Sequence, residues 1–360
     1  MSGFKVKEDV ETSMRDGTVL RSDVYVPVGN GPFPTLLLRT PYRKGREVHA
    51  ASAREFAERG YLVALQDVRG RYASDGDFMP GWFSSDHIDD DDGYDTVEWL
   101  ATLPESNGKI GTFGNSYAGW TQWELAHKRP PHLVCMLPQG VAANLLDREM
   151  SGVLRTGRVV TWCVNRLSVD ARIRGGDHGG PRTVSEAELQ WRDHDRSKWL
   201  WHLPLSEISD EALSGIGPHF RRWLTDHATD HFRFEAKHRD IEVPALITTG
   251  WYDQQIESIK HLNSMRSHAS TESARAGTRL IVGPWTHTSA QWGRELGELD
   301  FGPEAVRDFH RMADEWFSYW LMGEKNGVDE WPVVQLFVMG ANRWRSGNEW
   351  PLGNTRYVDY

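Results

Sequence analysis

Residues Lys109-Ile-Gly-Thr-Phe-Gly-Asn-Ser-Tyr-Ala-Gly119 place one serine between an apolar run and a helix-prone run. A chain that turns sharply from strand to helix brings its neighbouring backbones close together. Only small residues fit around such a turn, and Gly114, Ala118 and Gly119 are small. The turn aims the Ser116 oxygen into a cleft and points the first N–H groups of the helix at whatever that oxygen meets. The strict Gly-x-Ser-x-Gly form is not met, because Ala118 stands at the second glycine. Serine is also a good helix N-cap, so on this segment alone nucleophile and cap are equally good readings.

Chain order separates them. In α/β-hydrolases the serine is followed along the chain by an acid and then a histidine, each on a loop after a later strand. Val243-Pro-Ala-Leu-Ile-Thr-Thr-Gly-Trp-Tyr-Asp253 is an apolar run that breaks at glycine and delivers a carboxylate. Arg279-Leu-Ile-Val-Gly-Pro-Trp-Thr-His287 breaks at Gly-Pro and delivers an imidazole. Both breaks read as carboxyl ends of strands, where open α/β sheets carry their sites. Asp253 would then orient His287, and His287 would take the proton of Ser116. A lone loop Asp is usually a turn former and a lone loop His a surface residue, so the weight lies in the ordered set. His127, His132, His194 and His261 sit in helical or polar stretches and read as structural or solvated.

The chain resembles the cocaine esterase and Xaa-Pro dipeptidyl-peptidase (S15-type) family of serine hydrolases over nearly its whole length. The resemblance lies in Arg39-Thr-Pro-Tyr-Arg-Lys44, Gln66-Asp-Val-Arg-Gly-Arg-Tyr-Ala-Ser-Asp-Gly-Asp-Phe78 and Asp92-Gly-Tyr-Asp-Thr-Val-Glu-Trp-Leu100. It continues through Ser106-Asn-Gly-Lys-Ile-Gly111, Gly114-Asn-Ser-Tyr-Ala-Gly119, Gly250-Trp-Tyr-Asp253 and Gly283-Pro-Trp-Thr-His287. It implies Ser116, Asp253 and His287 as a catalytic triad. It also implies an oxyanion hole made by the Tyr42 hydroxyl and the Tyr117 amide. Phe33-Pro-Thr-Leu-Leu-Leu-Arg39 reads as a buried strand with Tyr42 just past its end, which agrees. Without the resemblance, Tyr42 would read as an interfacial aromatic with a packed ring and a wet tip.

Phe4 to Val26 alternates around Arg15-Asp-Gly-Thr18 and predicts an antiparallel hairpin. Strand-like and helix-like runs then alternate to Leu137, which predicts a parallel sheet with helices on both faces. The expected organisation is an α/β-hydrolase domain in two parts, 1–141 and 242–325, around a helical cap at 142–241. The cap is rich in tryptophans, at Trp162, Trp191, Trp199, Trp201 and Trp223. In the family the cap shapes the substrate pocket, so the resemblance puts Trp162 and Gln255 at that pocket. Most of the other tryptophans read as core residues of the cap. After a helix predicted over Pro303 to Leu321, Val333 to Gly340 reads as a strand. Residues 326–360 resemble the truncated start of a C-terminal β (jelly-roll) domain. Its uncovered apolar face around Leu336, Val338 and Trp344 would favour association into a homo-oligomer.

Apolar residues make up 39% of the 360-residue chain, enough for a core, and no run approaches the ~20 apolar residues of a membrane span. A net charge of −10 argues against nucleic acid as a partner. Met1-Ser-Gly-Phe-Lys-Val-Lys-Glu8 shows no leader-like apolar stretch, and Cys135 and Cys163 have no disulfide or zinc spacing, which fits a cytoplasmic protein. The acidic run Asp86-His-Ile-Asp-Asp-Asp-Asp-Gly93 lacks the alternation of a calcium loop and reads as the charged start of a helix. Arg69-Gly-Arg71 and Asp75-Gly-Asp77 read as a loop paired within itself. No metal or cofactor is expected.

The expected chemistry is hydrolysis of a small-molecule ester or amide through an acyl-enzyme. The alternatives are an Xaa-Pro dipeptidyl-peptidase, an α-amino acid ester hydrolase, and a non-catalytic scaffold that keeps the fold. Relatives that act on α-amino acid esters hold the ammonium with carboxylates at the positions of Gln255 and Ile256, which here carry no charge. An uncharged acyl group is therefore expected over a free α-amino one, unless Glu257 or an acid of the cap supplies the charge.

Overall fold

The computed structural model describes residues 3–81, 88–144, 156–176, 179–225, 233–287 and 293–359. The amino-terminal hairpin forms as its alternation predicts. β1 (Phe4–Ser13) pairs antiparallel with β2 (Val19–Pro27). Gly17, at φ 84°, supplies the left-handed position of the turn, and Asp16 accepts the Thr18 N–H at 2.9 Å.

The sheet continues through β3 (Phe33–Thr40), β4 (Leu62–Asp67), β5 (Ser106–Asn115), β6 (Leu133–Gln139), β7 (Leu246–Gly250) and β8 (Arg279–Gly283). Its spatial order is β1-β2-β4-β3-β5-β6-β7-β8, with every pair after β2–β4 parallel. This is the α/β-hydrolase fold. Helices α1 (Glu47–Glu58), α2 (Asp89–Thr102) and α3 (Tyr117–Ala126) make the first three crossovers. Alternate strand residues feed two cores. Leu37, Ala64 and Ile110 pack with Val97, Leu100, Trp120 and Trp123 of α2 and α3. Leu36, Leu38, Val63 and Leu65 pack with Ala53 and Phe56 of α1 and with Trp316 and Phe317. A strand covered on both faces is apolar through its centre, as Leu62–Leu65 is.

The acidic run becomes the first turn of α2, where the helix dipole favours negative charge. Its carboxylates are also paired: Asp89 with the fully buried Arg39 at 3.0 Å, Asp91 with Arg15 at 3.0 Å, and Asp92 with Arg69 at 2.6 Å. Asp86 and His87 lie outside the described residues. The expectation that the Arg69–Asp77 loop pairs within itself is corrected here. Arg69 bonds Asp16 and Asp92, and Asp75 pairs with Arg21, so the loop is tied to the hairpin and to α2.

In the region expected as a cap, helix Thr156–Trp162 runs through a π turn, Cys163–Leu167, into Ser168–Arg174. Shorter helices Val184–Gln190 and Gly217–Thr225 follow. Trp191, Trp199 and Trp223 are buried, while Trp201 is 84% exposed. The stretches 145–155 and 226–232 lie outside the described residues.

β11 (Val334–Val338) does not stand apart from the hydrolase sheet. It pairs parallel with β8, and β12 (Arg343–Gly347) pairs antiparallel with β11 at the sheet's edge. Leu336 is therefore buried, as is Phe337 on the opposite face, against the expectation of an uncovered apolar patch. Of the residues named for that patch, Val338 is exposed, and Trp344 packs on Trp285 and under Arg307. The helix predicted over Pro303 to Leu321 is broken into a short turn, Pro303–Ala305, and helix Phe309–Phe317 with a π turn after it. A two-stranded ribbon, β9 (Glu295–Leu296) and β10 (Leu299–Asp300), completes the strands. Both cysteines are buried and unbridged, and among the described residues no helix is long and apolar enough to cross a membrane.

An imidazole pair fastens the segment before β7 to the helix Ile259–His268 that follows it. His238 Nε2 lies 2.9 Å from His261 Nδ1, both rings are fully buried, and Trp123 of α3 stacks on His261 at 4.1 Å. Burial pushes His238 down to about 3 and His261 well below the ordinary 6.5, the neighbouring imidazole adding to the second shift. Both folded values lie below those of the unfolded chain, so unfolding takes up protons below pH 6.5. The stabilisation is complete above pH 6.5 and is lost as pH falls toward about 3. Urea midpoints should accordingly drop between pH 7 and pH 5 by the equivalent of about 2 kcal/mol for each imidazole kept neutral. His238→Phe should show a shallower slope, and a flat wild-type profile would contradict this account.

Candidate active site

Ser116 is the single residue between the end of β5 and the start of α3, and its backbone has φ 60° and ψ −121°. A non-glycine residue at positive φ costs about 1–3 kcal/mol and persists only where its surroundings hold it. Ser116 N–H donates to Gln139 O at 2.9 Å, and its carbonyl accepts from Gly119 and Trp120. The small neighbours are required. A Cβ on Gly119 would lie 2.6 Å from Val141 and 2.8 Å from Gln139 O, and one on Gly114 2.7 Å from Ala118 Cβ. The serine side chain makes no capping bond to α3, so the N-cap reading drops out. Its Oγ lies instead 2.8 Å from His287 Nε2.

Asp253 follows the end of β7 by three residues and His287 the end of β8 by four. Their loops interlock: Trp251 N–H donates to Gly283 O, and Tyr252 N–H to Trp285 O. A Cβ at Gly250 would lie 2.0 Å from Trp285 O, which is why that run breaks at glycine. Asp253 is buried, and its Oδ1 accepts from His287 Nδ1 at 2.9 Å and from Gln255 N–H at 2.7 Å. Asn115 Nδ2 donates to the His287 carbonyl at 2.8 Å. Gly140, at φ 53°, passes close behind: a Cβ there would lie 2.8 Å from Asp253 Oδ2 and 3.3 Å from His287 Nδ1. Ser116, His287 and Asp253 thus form one hydrogen-bonded line across three strand ends.

Tyr42 follows β3, and its ring meets that of Tyr117 edge-on at 6.3 Å. Trp162 Nε1–H donates to Tyr42 Oη at 2.9 Å. This occupies one oxygen lone pair with a donor and leaves the phenol proton to be given elsewhere. Burial raises the Tyr42 pKa, so the hydroxyl stays protonated, although Arg166, Arg158 and Arg46 act in the opposite direction. Tyr117 is buried as the first residue of α3, the position at which helical N–H groups point out of the helix end. Arg71 is fully buried and bonds Pro41 O at 2.9 Å, Leu167 O at 2.9 Å and Arg166 O at 3.2 Å. One guanidinium therefore ties the segment carrying Tyr42 to the π turn of the helix carrying Trp162.

Gln255 is 1% exposed, and its Oε1 accepts from Ala142 N–H at 3.1 Å. It stands behind Asp253, as part of the frame rather than as a wall. Sequence reasoning passed over Arg158, Asn115 and Gly140. The four-residue spacing of Arg158 and Trp162 is a helical signal that puts both on one face. The roles of Asn115 and Gly140 rest on contacts with loops more than a hundred residues away and leave no local mark.

Asp90, Glu124 and His127 bring ligand-type atoms within 4.8 Å of one another. Lys237 already bonds both Glu124 oxygens, at 2.8 and 2.7 Å, and Lys128 lies 3.2 Å from Asp90, so cations of the chain meet this charge. A cavity next to Tyr42 has a volume of about 490 Å³ and runs between the Tyr42 loop and the helical region.

The chain is similar to known esterases and peptidases over nearly its whole length. A cocaine esterase from Rhodococcus sp. (strain MB1 Bresler) is 31% identical over 99% of this chain and 62% of the relative. An aminopeptidase from a marine-sediment Thaumarchaeota archaeon superposes with a TM-score of 0.71 at 22% identity, covering 97% of this chain and 59% of that one. An α-amino acid ester hydrolase superposes at 0.70 and 22%, with the same coverage. The chain thus spans about three-fifths of the length of these relatives. The family model for X-Pro dipeptidyl-peptidases (S15 family) matches residues 16–289, a stretch holding Ser116, Asp253 and His287 in their hydrogen-bonded line, and the chain belongs to that family.

Proposed function

We propose that the chain is a serine hydrolase that cleaves carboxylic ester or amide bonds through an acyl-enzyme on Ser116. The observation that carries this reading is the continuous line from Ser116 Oγ to His287 Nε2, 2.8 Å, and from His287 Nδ1 to Asp253 Oδ1, 2.9 Å. His287 takes the serine proton as Oγ attacks the carbonyl, then returns it to the leaving group. Asp253 holds the imidazole with Nδ1 protonated, so that Nε2 is the base. Water then attacks the acyl carbon by the same route and releases the acid.

The oxyanion hole of this reading is the Tyr42 hydroxyl with the Tyr117 N–H. A protonated, desolvated phenol whose oxygen already accepts from Trp162 is a fixed donor, and a fixed donor loses nothing to reorganisation when charge develops.

Family membership also supports a second reading, cleavage of a dipeptide or an α-amino acid from a free amino terminus. That chemistry needs carboxylates at the ammonium. Gln255 and Ile256 supply none, and the cavity at Tyr42 is rich in arginine. Ester hydrolysis is therefore the first choice, and a non-catalytic scaffold would have no use for the strained backbone at Ser116.

The discriminating experiment compares para-nitrophenyl butanoate with an Xaa-Pro para-nitroanilide. The ester should be turned over and the anilide not; the reverse preference would move the chain to the peptidase branch. Ser116→Ala should abolish turnover while leaving the circular-dichroism spectrum unchanged. Tyr42→Phe should lower kcat by about 10²–10³ with little change in KM, because an oxyanion donor acts mainly in the transition state; an undiminished kcat would return Tyr42 to a packing role. Gly140→Ala should push the Asp253 carboxylate off His287 and lower kcat at least about tenfold, short of the ~10⁴ loss seen when a triad acid can no longer orient its histidine. Unaltered kinetics in this variant would mean that Asp253 does not orient the base.

A further inference from the structure

The cavity beside Tyr42 carries four guanidinium groups, those of Arg43, Arg46, Arg166 and Arg182, against the two carboxylates of Asp170 and Glu188. Both carboxylates are already engaged. Asp170 accepts the Tyr72 N–H at 3.1 Å and lies 3.5 Å from Arg71, and Glu188 pairs with Arg166. Arg43 and Arg46 are placed otherwise. Arg43 sits at φ 76°, a strained position for an arginine, immediately after Tyr42. Arg46 lies over the Tyr42 ring, its guanidinium carbon 6.0 Å from the centroid. Among the described residues neither is held in an ion pair. The volume, about 490 Å³, is in the range of small-molecule sites.

We propose that this cavity is a substrate subsite for a carboxylate, so that the preferred ester carries a free carboxylate on its acyl or leaving group, held by Arg43 and Arg46. The proposal rests on the hydrolase reading above and names the substrate class of that site. A guanidinium presents its N–H groups in a fork that matches a carboxylate, which makes arginine the residue for such recognition. Arg166, Arg158 and Arg46 also act on the Tyr42 phenol, each in the direction that lowers its pKa. A substrate ammonium finds no partner at Gln255 or Ile256 and is disfavoured again beside Arg43 and Arg46.

The test uses matched ester pairs at low ionic strength. For the acyl side, the mono-para-nitrophenyl ester of adipic acid is compared with para-nitrophenyl hexanoate; this chain is long enough to disfavour attack of its own carboxylate on the ester. For the leaving-group side, the butanoate ester of para-hydroxyphenylacetate is compared with that of para-cresol. At least one anionic ester should exceed its partner in kcat/KM by about tenfold or more, as a hydrogen bond to a charged group implies. That ratio should shrink with added salt. It should collapse in Arg43→Gln/Arg46→Gln and survive only in part in Arg43→Lys/Arg46→Lys, which keeps the charge but loses the fork. Ratios at or below one for both wild-type pairs, or a preference that survives the double glutamine variant, would overturn the subsite. Hydrolysis of the neutral esters, abolished by Ser116→Ala, would leave the hydrolase reading standing in that event. If no ester is turned over, calorimetry on the Ser116→Ala chain decides the subsite alone. Adipate binding that hexanoate does not show, and that the double glutamine variant loses, supports it, and its absence overturns it.

Discussion

Everything at the site hangs on one backbone turn. Ser116 can hold φ 60° only because β5, α3 and the loop after β6 close around it, and they can close only because Gly114, Ala118 and Gly119 keep side chains out of the way. The Ser116 N–H bond to Gln139 O locks the turn to β6. From there the consequences are geometric. α3 starts at Tyr117, its N–H end faces the cleft, and the next two strand ends across the sheet, β7 and β8, bring Asp253 and His287 to the serine from one side.

The opposite side is organised by a second device, in which the helical region and the hydrolase sheet share hydrogen bonds rather than only apolar contact. Arg71, buried without exposure, is satisfied by carbonyls of Pro41, Arg166 and Leu167, and Trp162 donates to Tyr42. A buried guanidinium left without partners would cost several kcal/mol, so this contact holds the two parts in one relative position. The π turn at Cys163–Leu167 falls where those carbonyls are used. A local loosening of the helical ladder is a common way of turning a carbonyl toward a functional neighbour. Placement of Tyr42 is thus a property of two segments that meet only after folding.

The carboxyl-terminal segment illustrates how the same apolar pattern serves either of two partners. Val334, Leu336 and Phe337 would suit a strand of a separate sandwich, yet β8 offers a parallel edge beside them. Pairing there buries Val334 and Leu336 in the core beneath the helices of one face, and Phe337 in a small cluster with Phe301, Ala305 and Trp344 on the other. The edge of the sheet then passes to β12, which is short and carries Arg343 and Arg345, features that discourage edge-to-edge association.

The fold and the strand ends were legible in the sequence, because each is announced by a local pattern: an apolar run, a glycine break, a small-residue turn; Ser116, Asp253 and His287 stood out as candidates only through their order along the chain. Tyr42 was legible only through the resemblance, since a tyrosine past a strand end has an ordinary packing role. The amino acid sequence by itself therefore determined which elements form and which reactive groups stand at their ends. Tertiary structure alone decided that Trp162 bonds Tyr42, that Arg71 seals the helical region to the Tyr42 loop, that Gln255 backs Asp253 instead of lining a pocket, and that arginines gather on the far side of Tyr42. The physical reason is one of range. Periodicity and turn chemistry act over a few residues and are written in neighbouring letters, whereas a hydrogen bond or a charge acts across space between groups that the chain brings together only when its cores have packed.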